Sequence, residues 1–380
     1  MPFINYKMSE KVILLTLQTF STTGGIQKMT RVLGHSLNNI ADAENCGFKM
    51  YSAYDSDSDL MLNYLPANKF RGFKGNKAAF TVNVLRAALK ANVVILSHVN
   101  LAIVGVLIKL MNPACKIWLV AHGIEVWRPL RFFKKRLLNN CDKVICVSKF
   151  TRKQVMDIHG VDRAKCTVLN NVLDPFMRFP EVFERPAHLL KKYGLTKTDP
   201  VIFTLTRLAS TEQYKGYEQV IDVVARLKKK FPKIKYILSG EYDEWEKSRL
   251  DKLIRVNDVL GQVILTGFIN EEELSDHFLL ADVFVLPSKK EGFGIVFIEA
   301  MACGLPVICG NADGSVDAIR NGELGTAIDA NNLDELERSI ITHLQDPLTT
   351  DKRKHLQQQC INYFSEEKYQ VELQKMIIPC

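Results

Sequence analysis

The run Val283-Phe-Val-Leu-Pro-Ser-Lys-Lys-Glu-Gly-Phe-Gly-Ile-Val-Phe-Ile-Glu-Ala-Met-Ala-Cys-Gly-Leu-Pro-Val-Ile-Cys309 decides the fold. A short apolar run, 283–286, predicts a buried strand; an apolar helix is expected over 294–302; a second β-rich run follows at 307–309. A helix between two such strands is the crossover that parallel pairing requires. The loop between strand and helix holds the carboxylate Glu291 and two glycines, Gly292 and Gly294, which allow close backbone approach. Helix N-termini present free N–H groups and partial positive charge, so a phosphate can sit there. Glu299 follows Glu291 by eight residues, and at ~1.5 Å rise per residue the two carboxylates can be roughly 10 Å apart. That gap suits a ligand with a hydroxylated group at each end and phosphate between. The plainer reading is that the glycines only shape a strand-to-helix turn.

The same rhythm extends in both directions. Strands are expected over 12–17, 49–53, 93–97, 116–121, 143–147 and 167–169, and again over 201–206, 235–239, 262–266, 283–286 and 307–309. Helical patterns fill the gaps, notably 27–39, 78–90, 149–158, 217–231, 244–256, 271–279 and 332–344. Two doubly wound α/β domains follow, over 1–175 and 186–350. The linker between them carries Pro175 and Pro180, where the periodicity breaks. The segment 351–380 is expected to form C-terminal helices that pack back toward the N-terminal domain.

Composition excludes several classes. Hydrophobic residues make up 47% of the 380 and charged residues 24%, enough for a large core and against disorder. The stretch 91–111 is apolar but broken by His98, Asn100 and Lys109, which favours a strand and a core helix over a membrane span. Nine cysteines without a C-x-x-C pair fit neither a disulfide framework nor a zinc site, and no secretory leader is visible, so a reducing cytoplasm is expected. The net charge of +8 is uneven. Residues 1–170 carry 24 Lys and Arg against 10 Asp and Glu, whereas the rest carries 26 against 32. A first half at +14 asks for an anionic partner.

Further candidates sit at expected strand ends. Arg207 and Lys215 follow the first strand of the second domain, where two cations suit a diphosphate. Gly24 and Gly25 follow the first strand of the chain and open a helix. His122, in Val120-Ala-His-Gly-Ile-Glu-Val-Trp127, stands just past another strand, as does His98.

Taken together these segments resemble family 4 of the retaining glycosyltransferases, which have the GT-B fold: two Rossmann-like domains facing each other across a cleft, with donor bound mainly by the second. The match rests on Glu291-Gly-Phe-Gly-Ile-Val-Phe-Ile-Glu299 and covers nearly the whole chain. The resemblance implies that Glu291 contacts hydroxyls of the donor sugar and Glu299 the nucleotide ribose. Amides at Gly292, Phe293, Gly294 and Ile295 would face sugar and diphosphate, and Gly24 and Gly25 the donor phosphates. Phe268 and Ile269 would lie at the base. Arg207 and Lys215 become electrophilic catalysts that neutralise the leaving group, and His122 a donor-sugar contact. Departures from the family pattern occur at Thr206, Val172, Gly240-Glu-Tyr242 and Asp317, while Ser148 and Asn171 fall at its interdomain positions. The segment around His122 is similar to versions in mannosyltransferases of lipid glycan assembly, which favours GDP-mannose over a UDP-sugar.

The segment Trp127-Arg128-Pro-Leu-Arg131-Phe-Phe-Lys134-Lys135-Arg136 mixes five cations with aromatics and is expected to touch acceptor or an anionic membrane. The expected place of the protein is therefore cytoplasmic, peripheral on the inner face of the plasma membrane. Asp55-Ser-Asp57-Ser-Asp59 offers hard oxygen ligands but reads more simply as a solvated loop, so neither metal nor other cofactor is expected. Two rivals remain: a GT-B nucleotide-sugar epimerase, and a non-catalytic GT-B partner subunit. Nucleic acid is not an expected partner, because basic and aromatic residues do not interleave on a known module.

Overall fold

A computed structural model describes residues 11–377. The chain divides into two compact units, Met1–Pro175 with Ser365–Cys380, and Phe176–Phe364. In the first unit the strands are β1 (Lys11–Thr16), β2 (Gly47–Ser52), β3 (Phe70–Gly72), β4 (Val93–Leu96), β5 (Lys116–Ala121), β6 (Lys143–Cys146) and β7 (Cys166–Val168). They form one parallel sheet in the order β3-β2-β1-β4-β5-β6-β7. Helices such as Gly25–Ala43, Ala102–Met111 and Lys149–His159 connect them. Val12 to Leu15 and Val93 to Leu96 are buried throughout, with no polar alternation, as strands covered on both faces must be.

The second unit repeats the scheme with β8 (Val201–Leu205), β9 (Lys235–Ser239), β10 (Val263–Gly267), β11 (Val283–Leu286), β12 (Val307–Gly310) and β13 (Thr326–Ile328), ordered β10-β9-β8-β11-β12-β13 and parallel. Its core includes an aromatic chain in which Phe203, Phe278, Phe284 and Phe297 meet edge to face at 5.6–5.9 Å. In each sheet the strand order reverses direction beside the first strand, between β1 and β4 and between β8 and β11. Such switch points, at the carboxyl ends of the strands, are where open α/β sheets leave room for ligands.

β3 and β13 are additions to the strands expected from sequence. Each is three residues long, pairs on one side only, and contains or follows a glycine, Gly72 and Gly325. The C-terminal segment forms two helices that part company. Thr350–Phe364 lies on the Ile295–Ala302 helix within the second unit, where Cys360 Sγ donates to Ile298 O at 3.2 Å and Gln357 Nε2 to Ala302 O at 2.8 Å. Glu366–Ile377 lies on Gly25–Ala43 within the first, where Glu366 takes hydrogen bonds from the Ser36 hydroxyl and the His35 ring, both at 2.7 Å.

Candidate functional site

In the second unit three loops leave the carboxyl ends of β8, β11 and β12 and interlock. A Cβ on Gly216, which sits at φ +85°, would meet Pro287 O at 2.4 Å; a Cβ on Gly314 would meet Gly292 O at 2.0 Å. Only glycine permits these approaches, so the loop carrying Lys215 is pressed onto the end of β11, and the loop after β12 onto the Glu291–Gly294 turn. As a result Lys215 Nζ reaches Glu291 Oε1 at 2.6 Å, with both side chains largely shielded from water. Burial alone would push the Lys215 ammonium down, but the Glu291 carboxylate outweighs it and holds the pKa above the ordinary lysine value.

Arg207 does not join this pair. Its guanidinium is 70% exposed and is bound to Glu212, whose charge also acts on Lys215. Tyr214, which the sequence reading passed over, lies under two cations: Lys215 Nζ and Lys290 Nζ stand 5.7 and 5.4 Å from its ring centroid. Its carbonyl receives the Lys289 N–H at 3.0 Å, tying the Lys215 loop to the Glu291 loop a second time. Asp313 also lay outside the sequence reading. It is 2% exposed and accepts the Glu291 N–H at 2.7 Å and the Ser315 N–H at 2.9 Å. Burial and the nearby Glu291 charge push its pKa up to about 7.

The Ile295–Ala302 helix starts after Gly294, whose carbonyl accepts the Phe297 N–H at 3.1 Å, and the first-turn amides before it lie beyond the reach of intrahelical carbonyls. Phe293 is a core anchor by its side chain, 1% exposed and 5.8 Å from the Phe364 ring. Glu299 lies one helical turn beyond Ile295 and is 4% exposed. Gly267 ends β10, leaving Phe268 55% exposed and Ile269 buried beside it.

In the first unit Gly24 and Gly25 follow the loop after β1 and open the Gly25–Ala43 helix. The Asp55-Ser-Asp57-Ser-Asp59 stretch is a solvated loop at Asp57 and Ser58, which are exposed, but not at Asp55. Asp55 is fully buried and accepts the N–H groups of Thr19, Phe20 and Ser21 at 2.7–3.2 Å, with the Ser52 and Ser21 hydroxyls at 2.6 and 2.5 Å. Asp57 and Asp59 accept the Gly72 and Ser56 N–H groups, each at 2.7 Å. These carboxylates serve the backbone, and sequence spacing alone cannot show that. Among the described residues no group of three or more His, Cys, Asp or Glu is placed to hold a metal.

His122 follows β5, and its Nε2 lies 2.8 Å from Ser97 O. A carbonyl only accepts, so Nε2 carries the hydrogen and Nδ1 is left as an acceptor. Burial pushes its pKa down to about 4, so the ring is neutral at physiological pH. Glu125 Oε1 accepts the His122 N–H at 2.6 Å and the Gly123 N–H at 3.1 Å, fixing the turn. His98, at the end of β4, accepts the Asn100 N–H at 3.0 Å and is also shifted down by burial. Ser148 caps the Lys149–His159 helix through the Thr151 N–H at 3.0 Å.

The basic segment contains the Phe132–Asn140 helix, anchored by Leu137 and Leu138. Arg128, Arg131, Lys135 and Arg136 are exposed and Lys134 half-buried. Trp127 corrects the sequence expectation. It is half-buried and packs against the core, with its ring 5.0 Å from Phe150. Phe132 and Phe133 take the exposed role, at 69% and 50%.

Residues 188–363 match the family model described as Glycosyl transferases group 1, and residues 60–175 that described as Glycosyltransferase Family 4. The chain belongs to glycosyltransferase family 4. A GDP-mannose-dependent alpha-(1-6)-phosphatidylinositol monomannoside mannosyltransferase of Mycolicibacterium smegmatis is 31% identical over 243 residues, 60% of each chain. The O-antigen chain mannosyltransferase B of Escherichia coli is 28% identical over 57% of this chain and 56% of its own. The family 4 chain thus spans about three fifths of the length of the curated relatives it matches. Among solved structures, Anabaena HepE in complex with UDP and glucose superposes with a TM-score of 0.76 at 19% identity, over 97% of this chain and 99% of that one. A glycosyltransferase of Rickettsia africae gives 0.74 at 18%, over 97% and 99%. These likenesses establish the GT-B fold, with its two Rossmann-like domains.

Proposed function

We propose that the protein is a retaining, metal-independent hexosyltransferase. It moves a sugar from a nucleoside-diphosphate donor, GDP-mannose in preference to a UDP-sugar, to a glycan or lipid-linked acceptor. The observation that carries this reading is the shielded Lys215–Glu291 pair at the switch point of the second sheet, beside the open N-terminus of the Ile295–Ala302 helix. As the glycosidic bond breaks, negative charge grows on the departing diphosphate. A fixed ammonium, an exposed guanidinium able to swing from Glu212, and the positive end of the Ile295–Ala302 helix all stabilise that charge. Glu291 accepts hydrogen bonds from the sugar hydroxyls, Glu299 holds the ribose, and Phe268 and Ile269 border the base. Within the first unit, neutral His122 offers Nδ1 as an acceptor to a hydroxyl, and Gly24 and Gly25 allow a phosphate to approach the backbone.

GDP-mannose is supported by the named donors of mannosyl relatives and by the His122–Trp127 segment. A cytoplasmic, peripheral location is supported by the exposed cations and phenylalanines of 128–136; no helix among the described residues is long and apolar enough to cross a membrane.

Incubation with GDP-mannose, UDP-glucose and related donors, following nucleotide release, tests the reading. Release of GDP from GDP-mannose, dependent on Lys215 and Glu291, is expected. Isomerised donor without release would instead identify an epimerase, and no turnover or nucleotide binding across the panel would identify a non-catalytic subunit.

A further inference from the structure

We propose that Asp313 is a positioning residue for Glu291, fixing the direction in which the Glu291 side chain leaves its loop. The proposal rests on the donor role assigned to Glu291 above.

Both polar backbone atoms of Glu291 are held by the turn after β12. Its N–H donates to Asp313 Oδ2 at 2.7 Å, and its carbonyl accepts the Gly314 N–H at 2.8 Å. Asp313 Oδ1 accepts the Ser315 N–H at 2.9 Å, so the same carboxylate also fixes its own turn. The missing Cβ of Gly314 lets that turn close on Gly292. With its backbone clamped at both ends, Glu291 leaves the loop from a fixed Cα, and its carboxylate reaches Lys215 at 2.6 Å. Asp313 is itself 2% exposed, so it acts through Glu291 and not on substrate.

Two backbone donors on one carboxylate are best satisfied while it is ionised, because a protonated oxygen accepts poorly. The groups that face Asp313 are Glu291 on the loop after β11 and Cys309 on β12, with Lys215 bound to Glu291. Burial and the Glu291 charge bring the Asp313 pKa to about 7, so the clamp weakens as pH falls through that value.

The test compares donor turnover by wild type, Asp313→Asn, Glu291→Ala and the double variant across pH. Asparagine keeps one acceptor but turns an N–H₂ toward the other backbone N–H, so kcat/KM for donor is expected to fall about tenfold or more. In the Glu291→Ala background the same change is expected to cost less than about twofold, since the side chain it positions is gone. Wild-type kcat/KM, which reports the free enzyme, is expected to show an acid limb with midpoint near 7 that Asp313→Asn lacks. A sugar nucleotide, esterified at both ends of its diphosphate, contributes no ionisation there. Full kcat/KM in Asp313→Asn, or an equal loss in both backgrounds, overturns the proposal. If the asparagine variant does not fold, the wild-type profile decides alone, and a flat profile across that region overturns it. Absence of wild-type turnover would instead overturn the donor assignment of Glu291.

Discussion

Lys215 Nζ and Glu291 Oε1 lie 2.6 Å apart although 76 positions separate them in the chain. The sheet order explains the meeting: β8 and β11 are neighbours, and the loops leaving them share one end of the sheet. With side chains only 13% and 14% exposed, neither charge is well hydrated, and the Glu291 carboxylate holds the Lys215 ammonium above the ordinary lysine pKa against its burial. On the proposed function, donor binding would exchange one anion for another at Lys215, the diphosphate for the Glu291 carboxylate.

Removing the cation leaves the exchange without its centre. Lys215→Ala is expected to lower kcat for donor turnover by about 10²–10³-fold, the scale of one preorganised electrostatic contact. Glu291→Gln keeps hydrogen-bonding capacity while removing charge and is expected to be milder than Glu291→Ala. Steady-state nucleotide release measures both, and full activity in either single variant would remove that residue from the mechanism.

Gly314→Ala tests the interlock of loops without touching a charge. A methyl group there would stand 2.0 Å from Gly292 O and 2.5 Å from Gly292 C, both backbone atoms that cannot rotate aside. The Glu291 loop must shift, so donor turnover is expected to fall at least tenfold, with a melting temperature lower by several degrees. Turnover equal to wild type would mean that the loop after β12 does not set the site.

Much of this was legible in the sequence. The long central strands, buried on both faces, read as continuous apolar runs, and Val283–Leu286 with its following loop placed Glu291 at a strand end. β3 and β13 were not legible because Gly72 closes the one and Gly325 precedes the other, so each reads as turn, whereas β7, equally short, lies in the β-rich run Thr167-Val-Leu169. The half-burial of Trp127 was not legible, because its contact with Phe150 joins residues 23 positions apart that spacing alone does not bring together. Asp55 and Asp313 were missed for a related reason. Both are acidic residues buried by backbone N–H groups that come together only in the folded chain, and in sequence an acid flanked by Ser or Gly looks like solvent-exposed loop.

The neutral state of His122 has a pH signature. Its folded pKa, about 4, is below the unfolded value of 6.5, so its contribution to stability is present above 6.5 and lost as pH falls from there through about 4. The loss is at most about 3 kcal/mol, from 1.36 kcal/mol for each pKa unit. Denaturant unfolding at several pH values is expected to show wild type weakening over this range more steeply than His122→Asn. Donor kcat/KM should carry no limb from His122 above pH 6.5. Parallel pH dependence of stability in the two proteins would show that the ring is not buried as a neutral base.

The exposed end of the Phe132–Asn140 helix carries the membrane prediction. Phe132 and Phe133 stand edge to face with centroids 5.3 Å apart, at 69% and 50% exposure, with Arg131, Lys135 and Arg136 around them. Two apolar rings beside three cations match a surface of anionic headgroups over acyl chains: each basic residue adds about 1 kcal/mol near such a surface, and the rings bury apolar area. Cosedimentation with vesicles containing phosphatidylglycerol is expected at low salt, weakening as ionic strength shortens the Debye length below about 8 Å. Replacing Arg131, Lys135 and Arg136 together by Glu is expected to lower binding by at least tenfold. Phe132→Ser with Phe133→Ser should lower it less and leave its salt dependence intact. These positions are at the surface, so melting temperatures should stay within about 2 °C of wild type. Equal binding to purely zwitterionic vesicles, or no effect of the charge reversals, would remove this helix from any membrane contact.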